Sequence, residues 1–495
     1  MRVELLPKVT AFLERQHGHF INGHFIDDPD AERINIINPA NDEVISSIAD
    51  GSTQRVNYAI ETAYDAFHNS WKNTLPAQRA KILYRFADLL EQNSEELAQL
   101  ETLQSGKLIT LARNFEISAA ASFLRHYAGA ATRIKGETIA PSLPSFGNEN
   151  YTAMTYREPI GVVAGIVPWN FSIMIAVWKF ASALATGCTV VIKPSQFTPL
   201  TMLRIAELGI EAGLPNGALN VINGSGAVGS QLIDSDHIAK VSFTGSVPTG
   251  IKVGTQAIKN KLTRFTLELG GKNAAGFLPD CTIDKIVDGV FESGFLNQGQ
   301  ICASAERFYI HHSQIDDVLA GVKHRLEQMK PGDPLDDTSD YGPVANRPHL
   351  EKLQATFDKA RQEGDEIISG GKVLERPGCF VSPTAIRVYG AEAELMTEEN
   401  FGPVGSFIAY DSEKELITAM NSSPYGLSAS LWTNDLSKAF KLIPQIEAGT
   451  VWVNMHTLLD PAVPFGGAKS SGIGREFGDE FINDYTELKS VMIRY

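Results

Sequence analysis

The sequence predicts an α/β protein with a doubly wound parallel sheet, a second α/β domain and a small β element. Three observations support this prediction. Between about residues 160 and 269, apolar runs of strand length alternate with helical patterns, the order found in parallel βαβ units. A second alternation of the same kind follows residue 268. Residues 137–156 and 478–495 contain strand-forming segments that lack a core of their own.

The periodicity predicts the individual elements in chain order. Before the first sheet we expect helices over 79–92, 94–102 and 109–132. The first sheet should contain strands 161–167, 189–192, 218–222, 240–243 and 265–269, joined by helices 171–186, 199–212, 227–233 and 247–258. The second run predicts helices 283–296, 314–329, 412–420 and 436–446 and strands 306–311, 401–410, 427–432 and 450–453. The two outlying strand segments should pair with each other or with another subunit.

The composition excludes several classes of partner. The 43 Lys and Arg residues are outnumbered by 58 Asp and Glu residues, which gives a net charge of −15. Without a basic surplus, neither nucleic acid nor an anionic membrane is expected as a main partner. The four cysteines are too widely spaced to indicate a disulfide framework or a metal site. Together with an N-terminus that lacks the apolar core of a signal peptide, this predicts a cytoplasmic protein.

One uncharged segment, residues 159–178, is long enough to span a membrane. Pro168 and Asn170 interrupt it, and Gly161 and Gly165 precede that break. A buried strand, a turn and a buried helix are therefore predicted in place of a transmembrane helix.

Polar and glycine residues follow all five strands of the first predicted sheet. Ligands bind beyond the carboxyl ends of strands in doubly wound sheets, so these segments should form one rim of one site. Each segment alone would be an ordinary turn. They are 168–170, 193–196, 224–226, 244–246 and Glu268.

Several of these segments have a functional and a structural interpretation. Residues 224–229 fit a GxGxxG pattern, but the sequence does not identify the acidic residue that this pattern requires about 20 positions later. Residues 245–250 are a better phosphate cradle, because they follow a strand and open a helix. Lys193 could bind ribose hydroxyls or solvate a strand end, and Asn170 could cap a helix or donate its amide to an oxyanion.

Cys302 and Glu268 supply a thiol and a carboxylate. A cysteine can form a thioester as a nucleophile, and a carboxylate can activate the water that hydrolyses it. Alone, Cys302 would more often be a buried structural residue and Glu268 an ion-pair partner. Their occurrence together with a sheet of the nucleotide-binding type favours a catalytic role for both residues.

Family motifs occur in order along nearly the whole chain. They are Pro168-Trp169-Asn170-Phe171, Lys193-Pro194-Ser195, Gly213-Leu214-Pro215, Phe243-Thr244-Gly245-Ser246, Glu268-Leu269-Gly270-Gly271-Lys272, Gln298-Gly299-Gln300-Ile301-Cys302, Glu399-Asn400-Phe401-Gly402-Pro403-Val404 and Pro464-Phe465-Gly466-Gly467. Through them the chain resembles the aldehyde dehydrogenase superfamily. Residues 450–458 and 489–495 are most similar to members that oxidise phenylacetaldehyde.

The resemblance implies roles for five residues. Cys302 would attack the aldehyde carbonyl, and the Asn170 amide with the Cys302 backbone N–H would hold the oxyanion. Hydride transfer would leave a thioester, and Glu268 would deprotonate the water that releases the acid. Lys179 and Glu476 match family positions that support proton transfer.

The resemblance also implies NAD as cofactor. Gln196 is a departure, because many members that strongly prefer NAD have glutamate there. Glutamine removes the repulsion of a 2′-phosphate, so we expect NAD to be preferred and NADP to be tolerated. The implied cofactor residues are Ile166, Trp169, Lys193, Gln196, Gly226, Gly245, Ser246, Leu269, Glu399 and Phe401.

The implied substrate is a hydrophobic, arylalkyl aldehyde, because the family pocket positions are uncharged and partly aromatic here. They are Phe171, Met174, Trp178, Leu296, Ile301, Leu459 and Phe465. The alternatives are a betaine-type aldehyde held in an aromatic cage, or a broad range of aliphatic aldehydes. Two further alternatives are an enzyme that passes the thioester to coenzyme A and a non-catalytic structural relative. The presence of Glu268 disfavours the first, and the presence of Glu268 and Cys302 disfavours the second.

The resemblance divides the chain into three parts. Residues 1–136 and 157–267 would form the NAD-binding domain, to which 466–477 return, and 268–465 the catalytic domain. Residues 137–156 and 478–495 would be oligomerisation strands. A homotetramer built from dimers is expected, with the C-terminal strand extending a neighbour's sheet.

Overall fold

Two open sheets of mainly parallel strands dominate the computed structural model, which describes residues 3–259 and 261–495. The helices are α1 (Pro7–Leu13), α2 (Thr53–Asn69), α3 (Pro76–Gln92), α4 (Ser94–Ser105), α5 (Ile109–Leu111), α6 (Ile117–Ala130), α7 (Ser172–Thr186), α8 (Leu200–Ala212), α9 (Gly226–Asp234), α10 (Val247–Lys259), α11 (Ile283–Gly294), α12 (Ile315–Gln328), α13 (Arg347–Glu363), α14 (Glu394–Thr397), α15 (Glu413–Asn421), α16 (Leu436–Leu442) and α17 (Phe481–Tyr485).

The strands complete the element order. They are β1 (Gln16–His17), β2 (His19–Ile21), β3 (His24–Ile26), β4 (Arg33–Ile37), β5 (Val44–Ala49), β6 (Thr138–Ile139), β7 (Tyr151–Pro159), β8 (Val162–Ile166), β9 (Thr189–Lys193), β10 (Leu219–Val221), β11 (Ile238–Gly245), β12 (Arg264–Leu269), β13 (Asn273–Phe277), β14 (Ala305–His311), β15 (Glu366–Ser369), β16 (Thr384–Arg387), β17 (Val404–Tyr410), β18 (Tyr425–Gly426), β19 (Ser428–Trp432), β20 (Thr450–Val453), β21 (Ala468–Lys469), β22 (Gly472–Ile473) and β23 (Thr486–Arg494). The predicted α/β fold class is confirmed.

The first sheet reverses its winding direction beside β8. Its order is β22-β12-β11-β8-β9-β10-β2-β3, and the strands from β12 to β10 are parallel. The chain winds from β8 through β9 to β10 on one side, then returns to place β11 and β12 on the other side of β8. Ligands of such sheets bind where the order reverses, so the carboxyl ends of β8 and β11 mark the expected binding crevice.

Helix α7 packs inside the protein and fixes the geometry of this crevice. All its residues are buried, and Lys179 is its one charged side chain. A helix that is apolar on all sides must be covered on all sides. It ends at Gly187, whose φ of 96° gives the left-handed cap that a side chain disfavours.

The second sheet has the order β15-β16-β17-β14-β13-β19-β20 and is parallel except for β15. The chain enters it directly from the first sheet, because only Gly270 to Lys272 separate β12 from the interior strand β13. Later the chain returns to the first sheet, where β22 pairs antiparallel with β12. The predicted domain boundaries stay a prediction.

The two outlying segments pair with each other in a small antiparallel sheet of order β23-β7-β6. Thr486 lies opposite Pro159 and Arg494 opposite Tyr151, so the pairing spans both strands. The predicted strand over 137–156 is wrong for residues 140–150, which hold no strand. β23 lies at the edge of this sheet, and one side of it is therefore open to another partner.

The predicted helix over 109–132 is wrong as a continuous element. A turn of π-helix, Ala112–Glu116, separates α5 from α6. A π turn adds a residue to the helical cycle and so rotates the side chains that follow it. Here it directs Glu116 into the core, where Glu116 pairs with Lys107.

Other predicted elements are shorter in the structure. The strand predicted over 401–410 begins at Val404, because Phe401 has a φ of 58° that no strand tolerates. The helix predicted over 436–446 ends at Leu442, just before Pro444. Among the described residues, no helix is long and apolar enough to cross a membrane, and 159–178 form a strand, a turn and a buried helix as predicted.

Candidate active site

Two cavities meet at Cys302 and Asn170, which line both. The open cleft is lined by Pro168, Trp169, Asn170, Thr244, Gly245, Ser246, Leu269, Gly270, Cys302, His349, Lys352, Glu399 and Phe401. The apolar tunnel is lined by Phe115, Asn170, Phe171, Met174, Ile175, Trp178, Leu296, Ile301, Cys302, Ala303, Thr457 and Leu459. The cleft lies at the winding reversal between β8 and β11. A thiol at the junction can therefore face two different molecules.

The loop that carries Cys302 is held rigidly by its neighbours. Asn297 and Gln298 have φ of 50° and 54°, and these left-handed residues turn the chain sharply after α11. The Asn273 amide donates to the carbonyl oxygens of Cys302, at 2.7 Å, and Ser304, at 2.8 Å. Burial, reinforced by nearby Glu268 and Glu399, raises the pKa of the Cys302 thiol to about 12. The thiol is therefore protonated until a base accepts its proton.

Asn170 directs its side-chain amide toward the same loop. Its Nδ2 donates to the carbonyl oxygen of Gln300 at 3.0 Å, two residues before Cys302. An amide nitrogen carries two hydrogens, so a second N–H remains for a ligand at the thiol. An amide N–H beside the thiol is the kind of group that stabilises an oxyanion on a carbonyl bound to Cys302.

Glu268, on β12, is a buried carboxyl group without a partner. Neither of its oxygens has a hydrogen bond within the described part of the chain. Burial raises its pKa well above the ordinary value, and nearby Glu476 raises it further. A Cβ on Gly466 would lie 2.8 Å from Oε1, so glycine there leaves room for the carboxyl group. An unpartnered carboxyl with a raised pKa is suited to accept a proton from water.

Lys179 and Glu476 form a buried ion pair, with 2.6 Å between Nζ and Oε1. Lys179 also donates to Ser242 Oγ at 3.2 Å. The second Glu476 oxygen is buried and has no partner in the described chain. Glu476 also raises the pKa of Glu268, so the ion pair and Glu268 interact electrostatically in the interior.

The remaining wall of the cleft is a loop before β17 that carries Glu399 and Phe401. Glu399 accepts the Gly271 N–H at 2.9 Å, and burial raises its pKa to about 7. Glu306 anchors the loop by accepting the N–H groups of Asn400 at 2.8 Å and Phe401 at 2.7 Å. The sequence motifs do not predict this role of Glu306, because a buried glutamate inside a strand has no distinctive sequence pattern.

Six of the ten predicted cofactor residues line the cleft. The other four do not line it. A Cβ on Gly229 would lie 3.5 Å from Lys193 and 3.6 Å from Ile166, which brings these two residues and the GxGxxG segment together. Gly226 opens α9 with no atom within 4 Å of an added Cβ. Gln196 is half-buried in the loop after β9.

These residues fit a dinucleotide. Thr244 Oγ1 is buried in the cleft lining without a partner in the described chain, so a ligand there can satisfy it. A Cβ on Gly245 would lie 2.6 Å from the Phe243 ring, and one on Gly270 would overlap the Glu399 carboxylate. Glycine at these two strand ends therefore leaves room for the Phe243 ring and the Glu399 carboxylate beside the cleft. Burial lowers the pKa of Lys193 to about 8.

Six of the seven predicted pocket residues line the tunnel. Phe465 does not: it is 3% exposed and stacks on Phe477 at 5.9 Å between ring centroids. The sequence reasoning missed Phe115, Ile175, Ala303 and Thr457. Phe115 could not be found from periodicity, since the π turn sets its direction. A neighbouring surface cavity shares Phe115 and Leu296 with the tunnel.

Known proteins resemble the chain over its whole length. The sequence model of the Aldehyde dehydrogenase family matches residues 25–491. Phenylacetaldehyde dehydrogenase from Pseudomonas fluorescens is 41% identical over 99% of this chain and 98% of its own. The NAD+ complex of an aldehyde dehydrogenase from Bacillus cereus superposes with a TM-score of 0.96, at 36% identity and full coverage of both chains.

A third relative differs in the substrate that its name specifies. Betaine aldehyde dehydrogenase from Staphylococcus aureus, in complex with NAD+, superposes with a TM-score of 0.94 at 33% identity, over 98% of this chain and 97% of its own. The thiol between two cavities, the cleft at the winding reversal and these matches lead to one conclusion. The chain belongs to the aldehyde dehydrogenase family and is an NAD-dependent oxidoreductase.

Proposed function

We propose that this protein oxidises a hydrophobic arylalkyl aldehyde, such as phenylacetaldehyde, to the carboxylic acid through a thioester on Cys302. The observation that carries the proposal is that Cys302 and Asn170 line both the open cleft and the apolar tunnel. An aldehyde in the tunnel and a nicotinamide in the cleft would then meet at the thiol. Trp169, Gly245, Ser246, Leu269, Glu399 and Phe401 would hold the cofactor in the cleft.

In the first half-reaction the Cys302 sulfur bonds to the aldehyde carbon. The thiol proton leaves to a base, and the carbonyl oxygen becomes an oxyanion that the Asn170 amide stabilises. When bound, NAD supplies the hydride acceptor that converts this thiohemiacetal to a thioester. The raised pKa of Cys302 means that the protein must lower it, or remove the proton, once ligands fill the site.

In the second half-reaction Glu268 removes a proton from water, which attacks the thioester carbonyl. The carbon–sulfur bond breaks, and the acid and the Cys302 thiolate are released. Glu268 then carries the proton that Lys179 and Glu476 would pass on. The absence of any hydrogen-bond partner for Glu268 in the described chain leaves both oxygens free to bind that water.

The tunnel lining favours the arylalkyl substrate class. Phe115, Phe171 and Trp178 are aromatic, and the other tunnel residues are apolar apart from Asn170, Cys302 and Thr457. No carboxylate lines the described tunnel to neutralise a quaternary ammonium, so an aromatic ring is the better match than a trimethylammonium group. The 41% identity to phenylacetaldehyde dehydrogenase points the same way.

The proposal extends to cofactor choice and assembly. Gln196 replaces a carboxylate that would repel a 2′-phosphate, so NAD is preferred and NADP is accepted. The edge strand β23 exposes Leu488, Met492 and Ile493, and β20 is an edge of the second sheet. We propose that β23 extends a neighbour's sheet in a homotetramer built from dimers.

A panel of aldehydes tests the proposal. NADH formation is measured by absorbance with phenylacetaldehyde, betaine aldehyde and hexanal, with and without coenzyme A, and the product is identified by mass spectrometry. We expect the highest kcat/KM with phenylacetaldehyde, free phenylacetic acid as product and no requirement for coenzyme A. Preference for betaine aldehyde would refute the substrate class, and a requirement for coenzyme A would refute hydrolysis by Glu268.

A further inference from the structure

A buried cluster of charges lies beneath the first turn of α7, outside the residues assigned to chemistry. Lys107 Nζ contacts Glu101 Oε1 at 3.3 Å and pairs directly with Glu116 Oε2. The three side chains are at most 1% exposed. Two carboxyls and one ammonium leave a surplus of negative charge in the interior, which is costly unless the surroundings compensate it.

The N-terminus of α7 supplies that compensation. Glu116 Oε1 accepts the N–H groups of Ile173 at 3.0 Å and Met174 at 3.3 Å. Glu101 Oε2 accepts the Ser172 hydroxyl at 2.6 Å. The first N–H groups of a helix have no partner within the helix and carry partial positive charge, so carboxylates bind them well. Burial raises the pKa of Glu116 to about 7, and Lys107 opposes that shift.

The same turn of α7 forms part of the site. Asn170 and Phe171 immediately precede Ser172, and Phe171 and Met174 line the tunnel. The Lys107 ammonium also lies 4.2 Å from the centre of the Phe171 ring. The cluster thus contacts the first turn of α7, which directly follows Asn170 in the chain. It also contacts the tunnel residue Phe171.

The π turn connects the cluster to the tunnel from the other side. Ala112–Glu116 directs Glu116 toward α7, while the adjacent Phe115 lines the tunnel. Turns of π-helix are rare and occur often at functional sites. A regular α-helix through these residues would change the direction of both side chains.

We propose that Glu116, Lys107 and Glu101 are positioning residues that hold the start of α7, and with it the Asn170 amide, in register with Cys302. The inference rests on the proposed function, because it takes Asn170 as the oxyanion donor. The cluster contacts neither substrate nor cofactor directly. Its effect on catalysis is transmitted by the backbone of residues 170–174.

Glu116→Gln tests the inference, because it keeps the size of the side chain and removes the charge that faces Lys107. Two reactions of Cys302 are compared. In acylation by p-nitrophenyl acetate the sulfur bonds to the carbonyl carbon, an oxyanion forms and p-nitrophenolate leaves. In alkylation by iodoacetamide the sulfur displaces iodide and no oxyanion forms. We expect acylation to slow about tenfold, since small displacements in an active site cost up to ~10²-fold, while alkylation stays nearly unchanged.

Glu96→Gln is the matched control. Glu96 is a buried carboxylate on α4 that pairs with Lys8 at 2.7 Å and Arg204 at 3.0 Å, and it lines neither the cleft nor the tunnel. We expect this variant to lower the thermal midpoint but to leave the ratio of acylation to alkylation as in the unmodified enzyme. An equal fall of both rates in Glu116→Gln, or an unchanged ratio, would overturn the inference.

Two further variants complete the test. Asn170→Ala must itself lower the ratio of acylation to alkylation; if it does not, the proposed function fails at the oxyanion step, whatever Glu116 does. If Asn170→Ala lowers the ratio and Glu116→Gln does not, only the positioning inference fails. Should Glu116→Gln not fold, Ser172→Ala removes the hydrogen bond between the first turn of α7 and Glu101, and a folded variant with an unchanged ratio would overturn the inference equally.

Discussion

The open cleft and the apolar tunnel meet at one thiol but are built in different ways. The cleft is formed where β8, β11 and β12 end, with one loop of the second sheet closing it. The tunnel is formed by α7, the π turn and two loops around residues 296–303 and 457–459. The cleft therefore depends on backbone topology, and the tunnel on side chains from segments far apart in sequence.

This difference explains how relatives can bind the same cofactor and yet differ in substrate. The Bacillus cereus and Staphylococcus aureus structures are both NAD+ complexes, with TM-scores of 0.96 and 0.94. A strand-end cleft tolerates little change, because side chains at Gly245 or Gly270 would collide with Phe243 or Glu399. A tunnel made of separate side chains can change its shape one residue at a time.

Cys302→Ala removes the group that the cleft and the tunnel share, and it should have the largest effect. We expect kcat/KM for phenylacetaldehyde to fall by at least about 10⁴-fold, because the nucleophile of a covalent mechanism cannot be replaced by its neighbours. Cys281→Ala is the matched control, since Cys281 is 2% exposed and packs in another cluster. Comparable activity in the two variants would contradict the proposed mechanism.

Glu268→Gln should have the next largest effect, because Glu268 is the proposed general base and serves only the second half-reaction. We expect a rapid burst of NADH followed by turnover slowed about 10²- to 10⁴-fold, the usual contribution of a general base. Rapid-mixing absorbance measures both phases. Loss of the burst together with turnover would place Glu268 in the first half-reaction as well.

The pH dependence of the unmodified enzyme tests the same residue. A carboxyl with a raised pKa acts as a base only after it loses its proton, so kcat should rise with pH at values above the range in which an ordinary glutamate titrates. The rise should disappear in Glu268→Gln. A profile that is identical in both forms would assign the titration to another group.

The cleft and the tunnel also differ in how much the sequence predicts. Trp169, Ser246 and Glu399 follow motifs at strand ends or in a loop, and six of ten predicted cofactor residues line the cleft. The tunnel contains Phe115 and Thr457, whose directions depend on a π turn and on a φ of 60°. Hydrophobic periodicity describes helices and strands of regular geometry, so it cannot place such residues. Phe465 is the opposite case: it belongs to a family motif and was predicted to line the tunnel, but its side chain packs outside it.

A comparison of Phe115→Ala with Phe465→Ala sharpens this point. We expect Phe115→Ala to lower kcat/KM for phenylacetaldehyde about tenfold relative to acetaldehyde, because lost apolar contacts with a substrate cost 1–3 kcal/mol. Phe465→Ala should destabilise the fold, as large buried side chains do, but preserve the ratio for the two aldehydes. The opposite pattern would place Phe465, not Phe115, beside the substrate.

Gln196→Glu should have the smallest effect on the reaction with NAD, and its effect concerns only the cofactor side. A carboxylate near a 2′-phosphate at the surface adds about 1 to 2 kcal/mol of repulsion, which lowers kcat/KM with NADP about five- to thirtyfold. With NAD the value should change little, because a carboxylate accepts ribose hydroxyls as well as an amide does. Gln196→Ala is the uncharged control and should keep the NADP-to-NAD ratio of the unmodified enzyme. If Gln196→Glu leaves that ratio unchanged while NADP is used, then the 2′-phosphate lies away from Gln196, and the cleft sets cofactor choice elsewhere.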